Sequence, residues 1–296
     1  MKTLIPGSRV ALVAPSGNVR DKSQVEQAED NVRSLGWTPV CGNNAHAQCG
    51  YLAGTDKERL ADLNAAIRDD SIDAIWCIRG GYGAMRLLPG IDYEALQNNP
   101  RPVIGFSDIT ALHAAIHREC GIVSFHGPTA RGTLTDFSRE SLLRAVAARE
   151  NSCGIAADGK VLRPGKARGR LAGGNLALIT ALHGTPYSVD FDGAILVIED
   201  IDEAVYRVDR MLRQLLLSGA LQQCAALVVG DFTAPASENE SDNRSLDDVL
   251  AEAAEIAGIP CIMGAPFGHI ANQWTMPLGA MAELDTTDLS LHVTSG

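Results

Sequence analysis

The sequence predicts an α/β fold with two lobes, the first of them organised around a parallel β-sheet. Short apolar segments of strand length alternate with segments of helical periodicity in the first half of the chain. This alternation is typical of parallel sheets that are covered by helices on both faces. The length of 296 residues favours two domains. Because the order of segments is less regular in the second half, we expect a smaller lobe of mixed α/β structure there.

The first lobe is predicted to contain five strands and three helices. Its second helix has Leu60, Leu63 and Ile67 on one face, which is the spacing of an amphipathic helix. The predicted strands are 9–14, 37–40, 72–78, 103–106 and 122–125, and the predicted helices are 23–35, 56–69 and 109–118.

A more polar stretch separates the two lobes and is predicted to form a helix and a linker. We therefore divide the chain into an N-terminal domain (1–133), a helix and linker (134–166) and a C-terminal domain (167–296). The strands predicted in the last part are 194–200, 225–229, 260–265, 275–278 and 289–293, and the helices are 173–184, 204–217 and 245–257.

Composition and charge narrow the class of protein. The formal net charge of −11 repels phosphate backbones, so we expect neither nucleic acid nor an anionic membrane surface as a partner. Pro6, Gly7 and Arg9 interrupt any apolar run at the N-terminus, and no later run approaches the ~18 apolar residues of a membrane span. The seven cysteines are scattered, as is typical of reduced thiols. These features predict a cytoplasmic protein.

Three polar or glycine-rich loops follow directly after predicted strands, at 15–18, 79–83 and 106–108. Parallel sheets bind ligands beyond the carboxyl ends of their strands. We therefore expect these loops to meet at one edge of the sheet and to form the functional site.

Ser107 is the candidate nucleophile at this edge of the sheet, because it lies between a short apolar strand and a helix. A serine at such a turn projects its hydroxyl away from the sheet, and the N–H group of Asp108 can face a developing oxyanion. The G-x-S-x-G motif is incomplete, since Ile109 occupies the place of its second glycine. Helix capping is the alternative role for this Ser-Asp pair.

Glu199 ends an apolar strand, where a carboxylate is costly unless it has a partner. It can orient a histidine or form a structural ion pair with Arg207 or Arg210. His126 and His269 each follow an apolar segment and are both candidate bases; from position alone either can be structural.

Metal and cofactor sites are not predicted. His113 and His117 lie four residues apart on one helix but lack a third ligand at suitable spacing, so we interpret them as lining a helix face. Cys41, His46 and Cys49 lack a fourth ligand. The loop at 79–83 is rich in glycine, which suits a close approach to a ligand or a tight turn, but it does not have the G-x-G-x-x-G spacing of dinucleotide-binding loops.

Ten short segments in register make the whole chain resemble the LD-carboxypeptidase family, the S66 serine peptidases. This family includes cytoplasmic murein tetrapeptide carboxypeptidases and microcin C self-immunity peptidases. The segments are APSG at 14–17, AGT at 53–55, RGGYG at 79–83, GFSD at 105–108, FHGP at 125–128, GGNL at 173–176, IEDI at 198–201, YRVDR at 206–210, FGH at 267–269 and PLG at 277–279.

The resemblance implies a catalytic triad of Ser107, Glu199 and His269, with the nucleophile on the first lobe and the other two residues on the second. It also implies a Rossmann- or flavodoxin-like N-terminal lobe, a β-rich C-terminal lobe, a homodimer and no cofactor. The activity it implies is serine carboxypeptidase hydrolysis of the L,D-peptide bond that releases the terminal D-alanine of murein tetrapeptide during cell-wall recycling.

For this chemistry we expect the N–H groups of Gly81 and Asp108 to stabilise the oxyanion. Arg79 is the candidate cation for the substrate's terminal carboxylate, and Tyr82 and Asn175 are further candidate substrate contacts. Two other interpretations stay open. One is an S66-type peptidase or amidase that acts on peptidyl-nucleotide antibiotics, and the other is a two-lobed protein that binds a small ligand without reacting.

Overall fold

The computed structural model describes residues 1–19, 21–233 and 244–294 of the chain. Its strands, in chain order, are β1 (Arg9–Val13), β2 (Thr38–Cys41), β3 (Ala74–Cys77), β4 (Val103–Gly105), β5 (Ser124–His126), β6 (Lys160–Arg163), β7 (Lys166–Asn175), β8 (Ile195–Ile201), β9 (Ala226–Thr233), β10 (Cys261–Met263), β11 (Met276–Leu278), β12 (Met281–Asp285) and β13 (Ser290–Val293). Its α-helices are α1 (Lys22–Ser34), α2 (Asp56–Arg68), α3 (Tyr93–Asn98), α4 (Thr110–Cys120), α5 (Asp136–Leu143), α6 (Leu176–Leu182), α7 (Val205–Leu217), α8 (Ala220–Gln223) and α9 (Leu246–Ala257).

The first sheet has the strand order β11-β5-β4-β3-β1-β2, and every neighbouring pair is parallel except β11 and β5. The order of its five parallel strands is the flavodoxin-like one, in which the chain reverses direction across the sheet between β1 and β3. The prediction of a parallel, flavodoxin-like first lobe is therefore confirmed. Ligands of such sheets bind beyond the carboxyl ends of the strands at this reversal point.

Strand β1 shows why the sheet is covered on both faces. Its successive side chains point to opposite faces, and all from Val10 onwards are buried. Ala11 and Val13 belong to one apolar cluster with residues of α2 and α4, whereas Val10 and Leu12 belong to another with residues of α1. A strand buried on both faces needs a continuous apolar run, which is the signal present in the sequence.

The second sheet is mixed, with the order β13-β12-β7-β8-β9-β10-β6. Its centre, from β7 to β10, is parallel, and β6, β12 and β13 are antiparallel to their neighbours. The prediction of a mixed α/β second lobe is confirmed. Strand β6 lies inside the stretch predicted as helix and linker, and neither it nor β7 and β12 was among the predicted strands. The helix predicted at 173–184 begins later, at Leu176, because 173–175 are the last residues of β7. The domain boundaries themselves stay a prediction.

The segment between β10 and β11 connects the two sheets. Strand β10 pairs with β9 in the second sheet, whereas β11 pairs with β5 in the first. The intervening chain is therefore anchored at both ends, on different lobes. Within the described residues, no helix is long and apolar enough to cross a membrane.

Candidate active site

Ser107 lies at the turn between β4 and α4, where it begins a short 3₁₀ segment, Ser107–Ile109. Its φ is 65°, in the left-handed region that residues other than glycine rarely adopt. Holding a serine in this conformation costs about 1–3 kcal/mol, and such strain persists only where the surrounding structure enforces it. This strained passage from strand to helix is typical of a nucleophile elbow.

The loop at 79–83 passes directly over the serine side chain. A Cβ atom at Gly80 would lie 2.9 Å from Cβ and 3.1 Å from Oγ of Ser107. Gly81 has φ 111°, and a Cβ atom there would lie 3.1 Å from Cα of Gly17, in the loop that follows β1. The N–H of Gly17 also donates to the carbonyl of Gly80 at 3.0 Å. The loops after β1, β3 and β4 therefore meet at one edge of the sheet, and glycine is required for their close approach.

Two main-chain donors remain available beside the serine. In the part of the chain that the structure describes, the N–H groups of Gly81 and Asp108 donate to no other group. The side chain of Asp108 has a different role: its Oδ2 accepts the N–H of Ala84 at 2.8 Å. This bond ties the turn at Ser107 to the end of the glycine loop. Burial raises the pKa of the Asp108 carboxyl.

Glu199 and His269 form a hydrogen-bonded pair on the second lobe. Glu199 is wholly buried near the end of β8, and its Oε2 accepts the Nδ1–H of His269 at 2.7 Å. In a neutral imidazole this bond leaves the lone pair on Nε2, which is the arrangement that a general base requires. Gly268, with φ 111°, permits this contact, because a Cβ atom there would lie 3.0 Å from Cβ of Glu199.

The imidazole of His269 reaches the first lobe beside the turn that carries Ser107. Its ring packs edge-on against the ring of Phe106, the residue before Ser107, with centroids 4.8 Å apart. The structure shows no hydrogen bond between the Ser107 hydroxyl and the His269 imidazole. The contact with Phe106 places His269, and with it Glu199, at the same edge of the sheet as Ser107. Of the two hydrogen bonds that a triad needs, the one between Glu199 and His269 is formed. Bonds between a nucleophile and its base often tighten only when substrate binds.

His126, the other candidate base, lies beneath the same phenyl ring. It is completely buried, between Phe106 and Phe267, with ring centroids 5.9 Å from each. Burial holds the pKa of His126 well below its usual value of 6.5. The imidazole is therefore neutral and shielded from solvent, whereas His269 is the histidine paired with a carboxylate.

Arg79 and Tyr82 flank the glycine loop. The Nη1 of Arg79 donates to the main-chain carbonyl of Asn18, so the guanidinium braces the loop after β1. The ring of Tyr82 is half exposed and lies edge-to-face with the exposed ring of Tyr51, at a centroid distance of 5.7 Å. Both candidate residues are thus at the same edge as Ser107, and their contacts with substrate stay a prediction.

Asn175 is buried and its side chain is engaged inside the protein. Its Oδ1 caps α6 by accepting the N–H of Leu178 at 3.2 Å, and its Nδ2 donates to Asp200 at 2.8 Å. Asp200 also accepts the N–H groups of Ala177 and Ile201, both at 2.9 Å. Burial raises the pKa of the Asp200 carboxyl to about 6. These contacts give Asn175 a capping role, and its predicted contact with substrate is untested.

Arg59 holds two loops of the site together, a role that the sequence analysis did not predict. Its guanidinium is buried, and Nη1 donates to the carbonyls of Pro15 and Gly83, which lie in the loops after β1 and β3. Because both acceptors are main-chain atoms distant in sequence, no residue pattern could reveal this role.

A strained serine beside a carboxylate–imidazole pair, at the ligand-binding edge of an α/β sheet, defines a site of the kind found in hydrolases that activate a hydroxyl group. Comparison with known families agrees with this class. Residues 10–127 match the LD-carboxypeptidase N-terminal domain, and residues 168–284 match the LD-carboxypeptidase C-terminal domain. The chain therefore belongs to the LD-carboxypeptidase family, peptidase S66, as its motifs predicted.

Individual relatives cover almost the whole chain. A probable murein peptide carboxypeptidase of Bacillus subtilis is 36% identical, over 100% of this chain and 94% of the relative. A murein tetrapeptide carboxypeptidase of Pseudomonas aeruginosa is 37% identical, over 94% of this chain and 93% of the relative.

Two solved structures show the same fold over almost the whole chain. The muramoyltetrapeptide carboxypeptidase of Oxalobacter formigenes has a TM-score of 0.85 at 30% identity, covering 97% of this chain and 98% of that one. The protein MccF in complex with glutamyl sulfamoyl guanosine has a TM-score of 0.90 at 24% identity, covering 100% of this chain and 98% of that one, and this likeness concerns the fold alone.

Proposed function

We propose that this chain is a serine carboxypeptidase that hydrolyses the L,D-peptide bond of murein tetrapeptide and releases its terminal D-alanine. The observation that carries the proposal is the strained Ser107 packed against Gly80, together with a His269 imidazole that lies against Phe106 and whose Nδ1–H is held by Glu199 at 2.7 Å. The names of the two murein carboxypeptidase relatives supply the substrate class.

In the proposed reaction, Nε2 of His269 takes the proton of the Ser107 hydroxyl as Oγ attacks the carbonyl carbon before D-alanine. Glu199 keeps the imidazole in the required tautomer and stabilises the imidazolium. The tetrahedral intermediate collapses, the C–N bond breaks, and the imidazolium protonates the departing amine. Water, activated by the same imidazole, then hydrolyses the acyl-enzyme and restores the serine.

The charge that develops on the carbonyl oxygen needs donors that are already in place. The N–H groups of Gly81 and Asp108 are the proposed oxyanion hole, and each is worth about 3 kcal/mol of transition-state stabilisation. We assign the substrate's terminal carboxylate to Arg79 and a contact with the peptide to Tyr82. We also propose that the protein acts on recycled wall fragments in the cytoplasm and that it is a homodimer. Light scattering on the purified protein tests whether it is a dimer.

The first test is release of D-alanine. We expect mass spectrometry to detect free D-alanine when the protein is incubated with murein tetrapeptide, but not with the tripeptide. Ser107→Ala should lower turnover by several orders of magnitude with the fold intact, because the nucleophile is lost. Ser71→Ala is the matched control, since Ser71 is exposed and precedes β3, at the opposite edge of the sheet. Near-normal turnover by Ser107→Ala would exclude the proposed mechanism.

Peptidyl-nucleotides are the second candidate substrate class, favoured by the exposed ring pair of Tyr51 and Tyr82 beside the glycine loop, because aromatic faces can stack on a nucleobase. Parallel assays with tetrapeptide and an aminoacyl sulfamoyl nucleoside decide between the two substrates. A protein that only binds its ligand would hydrolyse neither, and a fluorophosphonate would not label Ser107.

A further inference from the structure

His113 forms a hydrogen-bonded bridge inside the first lobe that the proposed reaction does not use directly. The side chain lies on α4 and is only 1% exposed. Its Nε2 is 2.8 Å from the carbonyl oxygen of Gly105, and its Nδ1 is 2.9 Å from Oγ of Ser124. A carbonyl oxygen can only accept, so Nε2 carries the hydrogen and Nδ1 accepts the Ser124 hydroxyl hydrogen. These two bonds fix a single neutral tautomer.

The acceptor of this bridge belongs to the turn that carries the nucleophile. Gly105 is the last residue of β4 and lies two residues before Ser107. Its carbonyl also accepts the N–H of Gly127 at 3.2 Å. The orientation of the peptide group between Gly105 and Phe106 sets the direction in which the chain enters the left-handed conformation of Ser107. A strained conformation of this kind must be held by its surroundings.

We propose that His113 is a positioning residue, which holds the turn at Ser107 through the bond from Nε2–H to the carbonyl of Gly105. The inference rests on the proposed role of Ser107 as nucleophile. A displacement of reacting atoms by about 1 Å can lower a rate by about 10²-fold. Burial lowers the pKa of His113 to about 4, so the imidazole stays neutral and the bridge intact at neutral pH.

His113→Leu tests the bridge, because leucine fills the buried site without a donor. We expect kcat to fall by about 10²-fold with KM within about 3-fold of wild type, and fluorophosphonate labelling of Ser107 to slow in parallel. In His113→Gln the amide N–H can reach the same carbonyl, so most of the loss should be recovered. His117→Leu is the matched control, since His117 lies one turn further along α4 and has no bond to the turn; we expect its kcat to stay near wild type.

A milder variant tests the same bridge if His113→Leu does not fold. Ser124→Ala removes the hydroxyl that donates to Nδ1 and helps to hold the imidazole in place, and we expect kcat to fall by about 5-fold with KM unchanged. Nitrogen-15 NMR of the imidazole gives a test that is independent of activity: we expect a protonated Nε2 and an unprotonated Nδ1 in the resting enzyme. A protonated Nδ1 would overturn the inference.

Failure of the inference can be told apart from failure of the proposed function. If Ser107→Ala is inactive while folded His113→Leu and Ser124→Ala keep the wild-type kcat, the positioning role is wrong and the proposed function stands. If Ser107→Ala itself keeps the wild-type rate, both are wrong. A lower melting temperature of His113→Leu with unchanged kcat would indicate a structural role only and would also overturn the inference.

Discussion

The two halves of the site are held in place by different kinds of interaction. On the first lobe, Ser107 is fixed by the main chain, through its left-handed φ and the close packing of Gly80. On the second lobe, His269 is fixed by one side-chain hydrogen bond to the buried carboxylate of Glu199. We therefore expect the side of the proposed nucleophile, Ser107, to be sensitive to added atoms, and the side of the proposed base, His269, to be sensitive to the loss of a charge.

The largest effect is expected on the base side. Glu199→Gln keeps the shape of the side chain but removes the charge that stabilises an imidazolium and selects the tautomer. We expect kcat to fall by about 10⁴-fold, measured as release of D-alanine. Thermal unfolding should not be impaired, because the variant removes a buried charge. Glu283→Gln on the surface is the control. A loss below about tenfold would show that Glu199 does not orient the base.

An added methyl group tests the nucleophile side. In Gly80→Ala the new Cβ atom would lie within 3.1 Å of both side-chain atoms of Ser107, so the loop or the serine must move. We expect kcat/KM and the rate of fluorophosphonate labelling to fall by about 10²-fold. Gly154→Ala is the matched control, because its Cβ atom would have no neighbour within 4 Å. Equal rates for the two variants would contradict the close packing of the loop over the serine.

The last prediction concerns Asp200, the neighbour of Glu199, and the way in which the free energy of unfolding depends on pH. Burial raises the pKa of Asp200 to about 6 from its ordinary value of 3.8. The folded protein therefore binds this proton more tightly than the unfolded chain. The contribution of Asp200 to the free energy of unfolding should fall as pH rises from about 4 to about 6, by at most about 3 kcal/mol, and stay constant above.

Carbon-13 NMR of the side-chain carboxyl carbons can measure this titration, with the Asp200→Asn spectrum identifying the signal. A midpoint near pH 6 is expected. A midpoint near pH 4 would mean that the hydrogen bonds to the carboxylate outweigh its burial.

Much of the first lobe could be predicted because its signals are local. The apolar run at 72–78 predicted β3, and the positions of Gly80 and Ser107 after strands predicted that their loops share one edge. Strand β6 was missed because the segment 160–163 is short and has a charged residue at each end, and it is an edge strand whose pairing with β10 is not visible in its own residues. Arg59 and His113 were not predicted as supports of the site because their acceptors are main-chain carbonyls.

By itself, the sequence determined the α/β class, the parallel first sheet and membership of the LD-carboxypeptidase family, because periodicity and ordered motifs are properties of neighbouring residues. Only the tertiary structure decided that β11 joins the first sheet, that Nδ1 of His269 bonds to Glu199, and that the imidazole rests against Phe106. These contacts join residues some 70 to 160 positions apart. Their geometry depends on how two sheets pack, and no local pattern of residues specifies that packing.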